Sequence, residues 1–188
     1  MKTKYWLLLL IIPVGVALYF VLPWLLIYLG MQSLPNPKKP EISYGEFPFR
    51  LEYEINGERM VIYDTLICEY DGIGANTGVG KYRKWKSRLA SGAEAVILLE
   101  VENPVGKLST ANILTQTICY NPGSAAYYMG DIGENQTYKH NFPNASFYEI
   151  YDDNRIVRGV IYENELYEKF NIKLISWEPA DPITNSFK

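Results

Sequence analysis

The sequence predicts a mainly β fold, a β-sandwich or open barrel of seven to eight mostly antiparallel strands with one short helix, preceded by a single N-terminal transmembrane helix. Three observations predict it. Residues 5–31 carry no charge and are apolar throughout. Residues 47–56 alternate apolar and polar and run into Asn56-Gly57. Turn signals then separate further strand-like runs, in a chain of 188 residues that holds 16 tyrosines. Aromatic side chains suit a pleated, half-buried surface.

The boundaries follow from composition: a cytoplasmic tail over 1–4, the anchor over 5–31, a Pro-rich spacer over 32–40, the β-rich domain over 41–178 and a C-terminal tail over 179–188. Tyr5–Met31 is 27 residues, roughly 40 Å as a helix, against a bilayer core of ~30 Å. Tyr5 and Trp6 at one end and Trp24 and Tyr28 at the other make a loose interfacial belt. Pro13 and Pro23 are tolerated in a membrane span and can kink it. A cleaved signal peptide would have a shorter apolar core and a small-x-small site, whereas Met31-Gln32-Ser33 offers Met where a small residue is needed. No lipidation cysteine follows. The segment therefore reads as an uncleaved signal anchor. Lys2, Lys4 and the α-amino group precede it, which favours a cytoplasmic N-terminus and an extracytoplasmic domain at the plasma membrane. The three prolines of Leu34–Pro40 make a stiff extended spacer.

Within the domain, Phe49, Leu51, Tyr53 and Ile55 face one way, and Arg50, Glu52, Glu54 and Asn56 the other. Asn56-Gly57 signals a hairpin. The return strand, about Glu58 to Tyr70, is apolar on both faces in its middle and should be central. A glycine-rich loop follows over 71–80. The basic run 81–89 reads as a strand that turns at Ser91-Gly92 into a strand over 95–102. Further strands are expected over 111–120, 147–151, 156–162 and 172–177, with 124–144 irregular and Asn164 capping a short helix over 165–170.

Chemistry-bearing constellations are weak. Net charge is −3, and one His with two Cys leaves little for zinc or thiol chemistry. No catalytic residue, metal site or cofactor is expected. Gly72, Gly74, Gly78 and Gly80 miss the Walker and dinucleotide patterns, so they read as a tight connection, with a backbone anion nest as the functional alternative. The sharpest feature is Lys81-Tyr82-Arg83-Lys84-Trp85-Lys86-Ser87-Arg88, with five basic residues in eight. Lys81, Tyr82, Lys84, Trp85, Lys86 and Arg88 are candidates for gripping an anionic envelope polymer or lipid head groups. The bland alternative is a solvated strand paired with acidic neighbours such as Glu52 and Glu54. Nucleic acid is disfavoured, because the domain would face away from it.

Cys68 and Cys119 lie on separate strands and outside the cytoplasm can form a disulfide or remain two buried thiols. Two of Asp71, Asp131, Glu134, Asp152 and Asp153 would make a glycosidase-like pair only if they converge. Asp152-Asp153-Asn154 reads as a hairpin turn and lacks the spacing of a calcium loop. Asn135-Gln136-Thr137 and Asn144-Ala145-Ser146 match glycan acceptors.

The runs PNPKKPEISYGEFPFRLEYEINGE, DTLICEYDGIG, GVGKYRKWKSRL and PGSAAYYMGD resemble an uncharacterised family of small membrane-anchored proteins from Gram-positive, clostridia-like bacteria. The resemblance covers most of the chain and implies a bacterial cell surface. It supplies no functional residues. The expected function is a non-enzymatic, membrane-anchored binding or interaction module of the cell envelope, with the bilayer as partner through residues 5–31 and an anionic polymer or a membrane protein as the other. The alternatives are an envelope hydrolase using two carboxylates and an accessory subunit of a membrane complex.

Overall fold

The computed structural model describes residues 2–104, 107–108, 111–132 and 139–188, with side chains on the first helix described from residue 13. The fold is mainly β, as the alternating runs require. Its elements are α1 (Lys2–Ser33), β1 (Tyr44–Ile55), β2 (Glu58–Asn76), β3 (Gly80–Leu89), β4 (Val96–Glu102), β5 (Lys107–Leu108), β6 (Ala111–Tyr120), α2 (Ala125–Tyr128), β7 (Ala145–Tyr151), β8 (Ile156–Ile161), α3 (Glu163–Phe170) and β9 (Ile172–Pro179).

One sheet has the order β3-β2-β1-β9, and a second the order β4-β6-β7-β8 with β5 against β6. β2 is therefore internal, as its doubly apolar middle predicts. β1 pairs antiparallel with β2 around Asn56-Gly57. Both turn residues have positive φ, 53° and 84°, as a type I′ hairpin demands. β9, more than a hundred residues away, closes the other side of β1.

Two compact units are distinguished, residues 1–39 with 72–84, and residues 40–71 with 85–188. In the first, α1 runs unbroken through Pro13 and Pro23. The part whose side chains are described, Pro13–Ser33, is by itself long and apolar enough to cross a membrane.

The second unit holds the core. Phe47, Phe49, Leu51 and Tyr53 of β1 meet Leu66 and Cys68 of β2 and Ile118 and Tyr120 of β6, with Leu166 and Leu174 closing it. Two sheets that share one apolar interior make a sandwich. Trp177 spans it, its ring 4.9 Å from Phe49 and 4.8 Å from Tyr120. Glu52 faces away from this core, yet it is only 5% exposed. Arg50 and Arg59 cover it, both ion-paired to its carboxylate, and Arg50 also reaches Glu178 at 2.8 Å.

Four local expectations are corrected. β2 continues through the glycines to Asn76, so the connection to β3 is only residues 77–79. β3 pairs with β2 and not with β4, which belongs to the other sheet. A short helix, α2, interrupts the irregular stretch, capped by the Ser124 side chain. Asn164 lies inside α3 instead of capping it. The first turn of α3 is served from outside, Glu163 N–H donating to Asn144 Oδ1 at 3.1 Å. The residues after 178 run back along the start of the domain. Glu41 N–H donates to the Ser186 carbonyl at 2.8 Å, and Ile42 N–H to Asn185 Oδ1 at 3.0 Å.

Candidate functional site

The basic run forms β3, and strand geometry sends its neighbours to opposite faces. Lys84, Lys86 and Arg88 are exposed, while Trp85 turns to the core. Lys86 pairs with Asp71 at 2.7 Å and Arg88 with Glu69 at 3.6 Å. The acidic partners thus come from β2. Glu52, on β1 across β2 from β3, is already taken by Arg50 of β1 and Arg59 of β2. Exposed pairs of this kind contribute about 0.2–1 kcal/mol each. They neutralise cations that the polymer-gripping hypothesis needs.

Trp85 donates its indole N–H to Asp131 Oδ2 at 2.8 Å and packs edge-on against Tyr70, with ring centroids 5.4 Å apart. Its role is structural: it ties β3 to the loop after α2.

Lys81 and Tyr82 belong to the first unit. Lys81 Nζ donates to the Gln32 carbonyl at 3.0 Å, the Leu34 carbonyl at 2.7 Å and Asn36 Oδ1 at 2.9 Å. Arg83 reaches the Lys38 carbonyl at 3.4 Å. Tyr82 lies over Gly74, where a Cβ would come within 2.6 Å of its ring. Gly74 is thus glycine for close approach. Gly72 adopts φ +88° and Gly80 φ +81°, bracketing the turn. At the turn itself, Gly78 N–H donates to Asn76 Oδ1 at 2.8 Å and Val79 N–H to the Asn76 carbonyl. Asn76 occupies the amides that a nest would turn towards an anion.

The two cysteines are free and buried. Cys68 joins the core between the sheets. Cys119 alternates with the core residues Ile118 and Tyr120, so it faces the other side of its sheet. Burial pushes the Cys68 thiol up to about 12 and raises Cys119 as well.

The carboxylates proposed as a hydrolytic pair are engaged separately. Asp71 pairs with Lys86, on one face of β3, and Asp131 accepts from Trp85, on the other. Asp152 accepts from Asn112 Nδ2 at 3.0 Å, and Asp153 pairs with Arg155 at 2.7 Å, within the β7–β8 turn. Glu134 and Asn135 lie outside the described residues. Asn144 caps α3 and Ser146 Oγ accepts from Asn121 at 3.3 Å, so that acceptor motif is built into the fold. Among the described residues no cluster of three His, Cys, Asp or Glu could hold a metal.

A site that the sequence did not signal lies on the face of the second sheet turned away from the core. Cross-strand register aligns Ile97, Cys119, Ser146 and Val160 in one row, with Thr117, Tyr148 and Arg158 in the next and Thr115, Ile150 and Ile156 beyond. A groove of about 650 Å³ runs over this face. Its floor includes Ile97, Cys119, Tyr148, Ile150 and Ile156, with Glu94 and Arg158 as its charged groups. Ile97 is 49% and Ile156 56% exposed. The one available signal was in β8, whose alternation puts Ile156 and Val160 on the same side as Arg158. That pattern does not distinguish an outer face from a core face.

No family model, curated protein or solved structure matches the chain.

Proposed function

We propose that the protein is a non-enzymatic, single-pass interaction module of the bacterial cell envelope, the resemblance supporting only its place at the cell surface. The helix holds it in the plasma membrane with the N-terminus inside, and the β domain meets its partner outside. The observation that carries this reading is the groove on the second sheet. Contiguous exposed apolar side chains mark interaction surfaces, and the groove's volume falls in the range of ligand-sized clefts. Its occupant is an apolar segment of another membrane-held protein, oriented by Arg158 and Glu94.

Charge favours a protein over an anionic polymer. The second unit contains all 21 acidic residues and only 11 of the 18 basic ones. Such a surface repels a polyanion, and Lys86 and Arg88 already have acidic partners.

A photo-crosslinking residue at Ile156 in the full-length protein, in its own membrane, tests this. A discrete adduct that disappears with Ile97→Glu or Arg158→Glu supports the groove. The same adducts from a crosslinker at Glu168, on the exposed side of α3, would remove it. Exchange of the helix for an unrelated span separates the accessory-subunit reading, in which contacts through the helix would be lost.

A further inference from the structure

The last turn of a helix leaves carbonyls without intrahelical partners and carries partial negative charge. α1 has no basic residue in its last turn. Lys81 supplies one from 45 or more residues away, its ammonium held by Gln32 and Leu34 carbonyls and by Asn36 Oδ1. Gly80 lies against Leu34, where a Cβ would be 3.4 Å from Leu34 Cδ1. The β2–β3 turn is therefore fastened beside residues 32–38, just past the end of the apolar helix. The uncharged run 5–31 ends just before these residues, and at roughly 40 Å as a helix it is long enough to cross a bilayer core of ~30 Å. Where that core ends, the head-group layer begins.

The chemistry of this unit fits that layer. Residues 1–39 and 72–84 contain seven basic residues and no acidic one. Five of these, Lys38, Lys39, Lys81, Arg83 and Lys84, follow the helix. Between them the turn presents Val79, 57% exposed, and Ile73 is exposed on the adjoining stretch of β2. Basic residues with an apolar tip bind anionic lipid surfaces through head-group attraction and shallow insertion.

We infer that the β2–β3 turn is a membrane-contact element, which Lys81 fastens to the end of the helix so that Val79 and the surrounding cations sit in an anionic phospholipid head-group layer. The inference rests on α1 being a membrane span. It divides the basic run into two jobs: its first residues meet lipid, and Lys86 and Arg88 stitch β3 to β2.

The test uses the full-length chain in nanodiscs of phosphatidylcholine with and without phosphatidylglycerol. A fluorophore is placed at Val79→Cys, and separately at Leu22→Cys within the helix. The native thiols are buried and compete poorly for the label. Head-group nitroxide lipid should quench the label at 79, and aqueous iodide should be excluded, more so with phosphatidylglycerol. Lys81→Ala should abolish this protection and Lys81→Arg should retain it. Full iodide access at 79 alongside lipid-chain quenching at 22 would overturn the inference while leaving the span intact. Protection unchanged in Lys81→Ala would overturn the role of Lys81. Absence of lipid quenching at 22 would overturn the span and the inference with it.

Discussion

Trp85 and Asp131 form a hydrogen bond of 2.8 Å between β3 and the loop after α2, and both are packed against the core unit. Trp85 sits in the most basic stretch of the chain, yet it points inward. Trp85→Phe keeps the aromatic contact with Tyr70 and removes the donor to a carboxylate. A hydrogen bond to a charged group contributes about 1.5–3 kcal/mol, so denaturation of the full-length protein in detergent should show a loss of that order. Lys84→Ser, on the opposite face, should change stability by less than about 0.5 kcal/mol. Equal effects of the two would contradict the inward role of Trp85.

Asn56 and Asn171 both hold left-handed backbones, with φ of 53° and 52°. They meet across 115 residues, Asn171 Nδ2 donating to Asn56 Oδ1 at 3.2 Å and Asn56 N–H to the Asn171 carbonyl at 3.1 Å. The β1–β2 turn is thereby tied to the end of α3. Asparagine holds this backbone more easily than other residues with a Cβ because its short amide side chain hydrogen-bonds locally, and glycine has no Cβ to strain. Asn171→Ala, which loses that help and the bond to Asn56, should therefore destabilise by about 1 kcal/mol, and Asn171→Gly by less. The denaturation midpoint reports the order of the two variants.

Thiol chemistry should rank the cysteines. Cys119 lines the groove, whereas Cys68 is 0% exposed and its thiol is pushed up to about 12. The thiolate is the reactive form. Alkylation of the folded protein followed by mass spectrometry should modify Cys119 first and Cys68 only on unfolding. Mobility should not change on reduction, because Cys68 of β2 lies in the core between the sheets and Cys119 of β6 on the outer face of the second sheet. A Cys68–Cys119 bridge found in peptide maps would contradict this placement.

Acid should weaken the fold in two stages. Burial, aided by Lys139, lowers the His140 pKa, and its Nδ1 accepts from Phe142 N–H. A depressed folded-state value means that its contribution is complete above the ordinary value near ~6.5 and is lost as pH falls below it. Hydrogen bonds from Arg59 and Arg50 hold Glu52 below the usual carboxylate range. Its contribution is complete above that range and is lost as pH falls through the lower folded-state value. His140→Gln should flatten the first decline in midpoint with pH and Glu52→Gln the second. Variants that track the native pH profile throughout would remove both assignments.

Much of the architecture was legible because it rests on local signals. The apolar helix, the alternation of Phe49, Leu51 and Tyr53, the Asn56-Gly57 turn and the strand character of 81–89 each follow from neighbours one to four residues apart. The sequence by itself determined that a long apolar helix precedes a β domain, and which face of β1 is buried. It could not assign partners. Whether β3 pairs with β2 or β4 depends on how the strands divide between two sheets around one core, and that is a property of the whole fold. The same holds for Glu52, for Asn144 at the start of α3 and for the groove, whose rows come from four strands brought into register. Lys81 is the clearest case. In the sequence it is one cation among five, and only the folded chain brings its ammonium to the Gln32 and Leu34 carbonyls, because the last turn of α1 carries no basic residue of its own and a helix end favours a cation.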